Sequence, residues 1–537
     1  MSKLSRGILA ACCALGLASG AAAQASVNLS TLDPAYRDLE KLVAARLVDP
    51  TIVGQRPYSR IDFARFARQA RSRLTPAHSA HIQSTVTRLE ERFAEELAIL
   101  AQPLLAEQVA FRPLDELSAE VLAAKNPERL VPEQPFGRID AVISPLFGYR
   151  EGRRPIDGTT AALETVHRLR LARQLVVYLQ PRFQITEGRG NTPELNEVSI
   201  QEAYGALLFG NLSIQLGRAN MVWGQGRHAG LTISPNARGF DMVSVSNQQP
   251  RVPPWIFRFL GPTKGTLFFA TLVADRERHF LNSYVLGYKV SFLPASWLEL
   301  GGSLMLESGG EGAPGAGFFD RLADHTFFVS ILRPESEQQF SNKIAGIEFR
   351  ATIPGAAGLQ LYGEGALDDL SPIRNPGKSI TQDSGWLIGV YAPRLDRAGR
   401  LDLSFEYQFS GLTLYRHGQF QTGLAVDRHF FGNILGPEGR AGYAEVHWDA
   451  TTDNTFGLET AYEGRSKDLY TPDRRAKLER RPQERRYRGV ASWTYRPLAR
   501  PYQLTTLAGY ERVNSFDFQA GESRDNFIGQ VRLEWRF

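Results

Sequence analysis

Arg474, Arg475, Lys477, Arg480, Arg481, Arg485, Arg486 and Arg488 crowd into one short stretch, interrupted only by a few acids such as Glu479 and Glu484. Guanidinium groups pair bidentately with carboxylates and phosphates, so this cluster suits an acidic polysaccharide or the phosphates of lipopolysaccharide. An even alternative is a solvated charged loop, because runs of charge are commonly just that. A second constellation is Trp223, Arg227, His228, Asn236 and Arg238, set in a glycine-rich segment over 223–240. An indole face can stack on a pyranose while arginine meets a uronate carboxylate. The preferred reading of this segment is structural, an inward-folded plug whose arginines are satisfied by acids. Tyr415 and His417, with Phe420, Asp427, Arg428 and His429, form a third and weaker group.

Catalytic chemistry finds little to stand on. There is no His-Glu-x-x-His run and no Gly-x-Ser-x-Gly elbow. Gly224-Gln225-Gly226 lacks the third glycine of a dinucleotide fingerprint, and the stretch 309–317 lacks the Gly-Lys-Ser/Thr ending of a phosphate loop. His78 and His81 have no acid nearby in sequence, which favours surface residues over metal ligands. No catalytic residue, metal site or cofactor is expected. A hydrolase assembled from separate strands is the lesser reading, since fold and function separate.

The compartment is set by the first residues. Lys3 and Arg6 precede an apolar run over 7–17, and Ala21-Ala22-Ala23 and Ala23-Gln24-Ala25 offer small-x-small cleavage sites. That layout is a secretory signal peptide over 1–25, too short to span a bilayer. Leu9-Ala10-Ala11-Cys12 resembles a lipoprotein box, but too few apolar residues precede it. Cys12 and Cys13 are the only cysteines, so the mature chain has no disulfide and no thiolate chemistry. The net charge of +5 falls to +3 without Lys3 and Arg6, too mild for a nucleic-acid partner. No later stretch is apolar enough for a transmembrane helix.

The elements that must position these residues change character along the chain. Over roughly 30–130 the period is helical. Asp33-Pro34 opens a helix carrying Tyr36, Leu39, Val43 and Leu47, and Ser59 with Asp62 forms a capping box for a second. Thr75-Pro76 opens a third, whose Ile82, Val86, Leu89, Phe93, Leu97 and Leu100 make one stripe. From Phe136 the period becomes two: Leu401, Leu403, Phe405, Tyr407 and Phe409 alternate with Asp402, Ser404, Glu406 and Gln408. Short joins near 294–296, 354–358, 394–399, 451–453 and 498–500 alternate with long ones near 307–342, 368–383, 411–439, 466–485 and 515–525. Such alternation marks an outer-membrane barrel with tight periplasmic turns and long external loops. It requires 317–328 to be loop rather than strand, and gives about 18 strands.

Gly217-Arg218, Val222-Trp223-Gly224-Gln225-Gly226, and the block from Leu231 to Arg238 resemble the capsule-assembly Wzi family. Further blocks lie at Ser341 to Gly346, Gly363-Glu364, Glu406-Tyr407, Tyr415-Arg416-His417-Gly418 and Phe431-Gly432, in order along the barrel region. The chain departs from the family pattern at Gln225, Pro235 and Gly239. The resemblance implies an outer-membrane lectin, an 18-stranded barrel with a periplasmic helical bundle that holds capsular polysaccharide on a Gram-negative cell. The expected class is therefore an α+β membrane protein: a signal peptide over 1–25, a helical domain over 26–132 and an antiparallel barrel over 133–537. Expected partners are an acidic capsular or exopolysaccharide and outer-membrane lipids including lipopolysaccharide, with the protein a monomer. A porin-like pore is the alternative, because 16–18 strands can enclose a channel.

Overall fold

The computed structural model describes residues 24–126, 129–130, 142–143, 146, 148, 150–190, 194–228, 230–326, 340–353, 355–368, 377, 380, 383–465 and 482–537. Residues 1–23, most of the stretch expected to be a signal peptide, lie outside that set. Four helices come first: α1 (Ala35–Ala44), α2 (Arg60–Arg73), α3 (Ala80–Arg92) and α4 (Ala94–Ala101). Ser59 and Asp62 do form the capping box of α2. The third helix starts later than its sequence suggests, because Ser79 rather than Thr75 caps it by accepting from the Ile82 N–H. It also breaks at Phe93, whose φ of −109° and ψ of 27° separate α3 from α4. Tyr36, Leu39, Phe63, Ile82, Val86, Leu89 and Phe93 share one core beneath these helices.

The described residues then give eighteen barrel strands. They are β1 (Ala110–Lys125), β2 (Gly158–Ala172), β3 (Leu175–Gly188), β4 (Leu195–Phe209), β5 (Leu212–Ala219), β6 (Phe240–Asn247), β7 (Thr263–Thr271), β8 (Tyr284–Ala295) and β9 (Leu298–Ser308). The second half is β10 (Ser341–Thr352), β11 (Gln360–Asp368), β12 (Ser384–Ala392), β13 (Leu401–Ser410), β14 (Gly439–Asp449), β15 (Asn454–Arg465), β16 (Glu484–Tyr495), β17 (Tyr502–Asn514) and β18 (Ser523–Arg536). Each pairs antiparallel with its chain neighbour, and β1 closes the barrel against β18 from Glu116↔Arg536 to Lys125↔Phe527. Residues 318–325 form a helix, α5 (Phe318–His325), so the join between β9 and β10 contains no barrel strand there.

One boundary is corrected. The barrel begins at Ala110, so the segment from Ala110 to Lys125 belongs to the wall and not to the helical domain expected over 26–132. Its Leu, Glu, Ala and Lys residues favour helix intrinsically, and pairing with β18 and β2 overrides that preference.

The wall is apolar outside and polar inside. Along β13, Phe405 and Tyr407 face out while Asp402, Ser404, Glu406 and Gln408 are buried in the lumen. Aromatic residues gather at both rims: Tyr495, Tyr502 and Trp535 in a row at the short-turn end, and Tyr462–Tyr487 and Tyr510–Phe527 pairs towards the other. An apolar band between aromatic girdles is the surface of a membrane-spanning barrel. No helix among the described residues is long and apolar enough to cross a membrane.

Candidate functional site

The loop between β5 and β6 folds back into the lumen. Its first residues, Val222–Trp223, pair with Gln55–Arg56 from the helical domain. Gly224 has a φ of +141°, and an added Cβ would run into the Glu364 carboxylate. That carboxylate, on β11, accepts the backbone N–H groups of Gln225, Gly226 and Leu231, the last at 2.8 Å. The Gln225 amide N–H is therefore used, and Arg350 binds the Gln225 side chain at 2.6 Å. Trp223 is 1% exposed and packs on Phe268 with ring centres 5.2 Å apart. Arg227 pairs with Glu40 of α1 at 2.8 Å and lies 3.6 Å over the Tyr391 ring. A buried carboxyl ordinarily takes up protons more readily; at Glu40, Arg227 and Arg350 outweigh burial and hold it below its usual range.

Residues 411–438 seal this plug from above. The Tyr415 hydroxyl donates to the Leu231 carbonyl at 2.7 Å and accepts from the Asn433 N–H. Asn236 donates to the Phe430 carbonyl at 2.9 Å, and Ser234 N–H donates to that of Phe431. His417 is buried, and its Nδ1 accepts the N–H groups of Gln419 and Phe420, each at 3.1 Å. A nitrogen accepting two such bonds carries no proton. Burial, with some help from the Lys343 charge, pushes the imidazole down to about 4.

From the short-turn end, α1 enters the barrel mouth. Lys41, wholly buried, sits 3.2 Å from Asp402 and closer still to Asp449, and Arg37 bonds both acids. Asp38 meets Arg496 at 3.1 Å. Ser79 and Arg88 bond the turn carbonyls of Ala398 and Thr452, so the bundle caps this end of the barrel. The two ends meet mid-lumen, where Thr31 donates to Glu151 at 2.8 Å and Glu151 N–H donates to the Pro235 carbonyl.

At the long-loop end a cleft of about 490 Å³ remains open beside this filling. Its origin is unequal strand length. β4 pairs with β3 as far as Leu195↔Thr186, but with β5 only to Ala203↔Arg218. The overhang of β4, with Glu197, Ser199 and Gln201, forms one wall, and Arg218, Arg238 and Arg182 reach the space from other elements. Arg218 is gripped by Asp241 through two bonds of 2.8 Å and donates to the Ile200 carbonyl at 3.0 Å. Arg238 pairs with Asp427 and Asp241. Deeper, Arg153 and Arg182 share Glu164. Guanidiniums held this way are pre-set, and with five N–H donors each they retain capacity for a ligand's oxygens.

Of the residues singled out from sequence, Arg238 of the second constellation and Asp427 and His429 of the third line this cleft, together with the motif residue Arg218. Trp223, Asn236, Tyr415 and His417 are buried packing and hydrogen-bonding groups, and Arg227 is committed to Glu40 and Tyr391. Their burial leaves the alternative reading as sugar contacts without an open face, and the segment 223–240 is the inward-folded plug preferred from its sequence. Arg485 and Arg486 stand on β16 rather than in a loop. Arg486 turns inward to Glu484 at 3.0 Å, while Arg485 is exposed on the outer side. Arg474, Arg475, Arg480 and Arg481 lie outside the described residues. Sequence reasoning missed Arg153, Arg182 and Gln201, and used Arg218 only as a motif residue.

Residues 137–527 match the family model described as capsule assembly protein Wzi. A Klebsiella pneumoniae protein described as an uncharacterised 55.8 kDa protein in the cps region is 25% identical over 202 residues. That match spans 36% of this chain and 38% of the relative, so the chain covers well under half of that protein's length. Among solved structures, the Escherichia coli Wzi protein superposes with a TM-score of 0.65 at 17% identity, over 95% of this chain and 99% of that one. That protein is described as an outer-membrane protein involved in group 1 capsule assembly and a carbohydrate-binding β-barrel. The superposition shows a shared fold, and with the family pattern running through nearly the whole barrel wall, the chain belongs to the Wzi capsule assembly family.

Proposed function

We propose that this outer-membrane barrel binds an acidic capsular or exopolysaccharide at its long-loop end and holds it at the cell surface, without chemistry on the polymer. The observation that carries the reading is an arginine-lined cleft standing above a lumen filled from both ends. The carbohydrate binding of Escherichia coli Wzi supports it through the family. Short turns face the periplasm in such barrels, so the bundle is read as periplasmic and the cleft as external. Arg485, exposed near the same end, is read as a contact for lipopolysaccharide phosphates, a reading its charge and exposure support. The protein is read as a monomer.

A pore is disfavoured by the plug: Trp223, Leu231, Ile233, Phe240 and Tyr415 are buried where a channel would run. The binding test is direct. Purified protein should retain the acidic capsular polysaccharide of its own cell on a sensor surface, and Arg218→Ser with Arg238→Ser should weaken retention by about tenfold or more, since charged hydrogen bonds contribute roughly 1.5–3 kcal/mol each. Unchanged retention by the double variant would remove the cleft from the account.

A further inference from the structure

The join between β6 and β7, residues 248–262, lies at the short-turn end and exposes a cluster of large apolar side chains. It carries Trp255, Ile256, Phe257 and Phe259, with exposures of 84%, 78%, 52% and 70%, on a 3-10 helix spanning Trp255–Leu260. Val252 extends the apolar surface, and exposed Arg258 sits within it. In water, four large apolar side chains on one short element are a large unsatisfied surface.

The segment is nevertheless firmly rooted. Arg251 and Thr263 exchange both backbone bonds, at 2.8 and 3.1 Å. Leu293 N–H on β8 donates to the Pro262 carbonyl at 2.9 Å. Gln248 N–H and the Gln249 carbonyl bond Asn211 in the turn after Phe209. Ser59 of the helical domain accepts from the Gln248 amide at 3.3 Å, and Arg65 reaches the Gln249 amide oxygen at 2.8 Å in the orientation that satisfies both groups. Barrel rim and bundle therefore hold the base and leave the apolar tip facing outward.

We propose that Trp255–Leu260 is a membrane-interface anchor, lying in the headgroup–acyl boundary of the phospholipid leaflet at the short-turn end. Continuity supplies the occupant. The segment leaves the wall between Phe209 (55% exposed) and the turn bearing Trp297 (48% exposed), both part of the lipid-facing surface at this rim. Residue type agrees: Trp and Phe belong at that depth, and an arginine among them meets lipid phosphate. Because its base also bonds Ser59 and Arg65, the anchor ties the helical bundle to the leaflet as well as to the barrel.

The test places the full chain in nanodiscs of phosphatidylethanolamine and phosphatidylglycerol, where both faces are open to solutes. The emission lost on Trp255→Phe isolates the Trp255 signal. It should be quenched by phospholipid brominated near the headgroup and protected from iodide. Quenching by iodide without quenching by brominated lipid would overturn the proposal. Protection from both would overturn it too, because a second copy or another protein would then cover the segment. Should Trp255→Phe fail to fold, Ile256→Cys in a chain with Cys12→Ala and Cys13→Ala, carrying an environment-sensitive dye, reads the same contrast. Ile256→Asp with Phe259→Asp should leave a heat-modifiable folded barrel while abolishing the lipid quenching, and retained quenching would contradict the anchor.

Discussion

Lys41 shows at one residue how the bundle and barrel are joined. Its ammonium is buried against Asp402 and Asp449, with the Gly399 carbonyl at 3.0 Å. Removing one partner of a buried ionic cluster leaves uncompensated charge and costs about 3–5 kcal/mol. Lys41→Met is therefore expected to loosen the bundle, seen as faster proteolysis after Arg60 or Arg71 with the barrel intact. Unchanged proteolysis would show that the cluster does not hold the dock. His417 gives a pH-dependent counterpart. Its folded value of about 4 lies below the unfolded value of roughly 6.5, so the unfolded loop binds the extra proton. The order it contributes is complete above about pH 6.5 and falls as pH drops towards 4, by about 2 kcal/mol at pH 5. Hydrogen exchange over 411–438 should quicken between pH 7 and pH 5 after correction for intrinsic rates, and His417→Gln should flatten that dependence.

At the scale of elements, the plug depends on one carboxylate. Glu364 receives three backbone N–H groups from the turn after Trp223, so Glu364→Ala strips the turn of its acceptor. The expected outcome is a mobile plug and a rise in bilayer conductance from near zero, whereas a silent variant would show that packing alone holds it. Trp223→Ala should cost about 3–5 kcal/mol in stability, as expected for emptying a core site, with polysaccharide retention changing only as far as the fold does. These elements also show what linear pattern carries. Alternation in β13 and the join lengths from β8 to β18 were legible because inward and outward faces differ in every second residue. β1 was not, since its Glu, Ala and Leu residues favour helix and only pairing across the closure makes them a strand. The cleft was invisible for a related reason. It exists where β4 outruns β5, a consequence of non-local register, so Arg182, Gln201 and Arg218 carry no local signal of being neighbours. Conversely, the glycine-rich block at Trp223 announced a special backbone, and its dense polar chemistry proved to be the plug's own hydrogen bonding.

Taken as a whole, the molecule is a membrane wall with its interior closed by its own chain, and the proposed recognition cleft stands at one rim. Arginines are divided between the two tasks: those deep in the lumen neutralise wall acids, and those at the overhang of β4 stay partly exposed. A surface anchor fits this plan because it needs a firm seat in the membrane and no passage through it. The most direct test compares cells with the gene, without it, and with Arg218→Ser and Arg238→Ser together, measuring polysaccharide in the pellet and in the supernatant. The account predicts unchanged total polymer that shifts into the supernatant in both altered strains. Polymer that stays with the pellet in both, with slower uptake of small solutes in the deletion, would contradict it and mark the barrel as a pore.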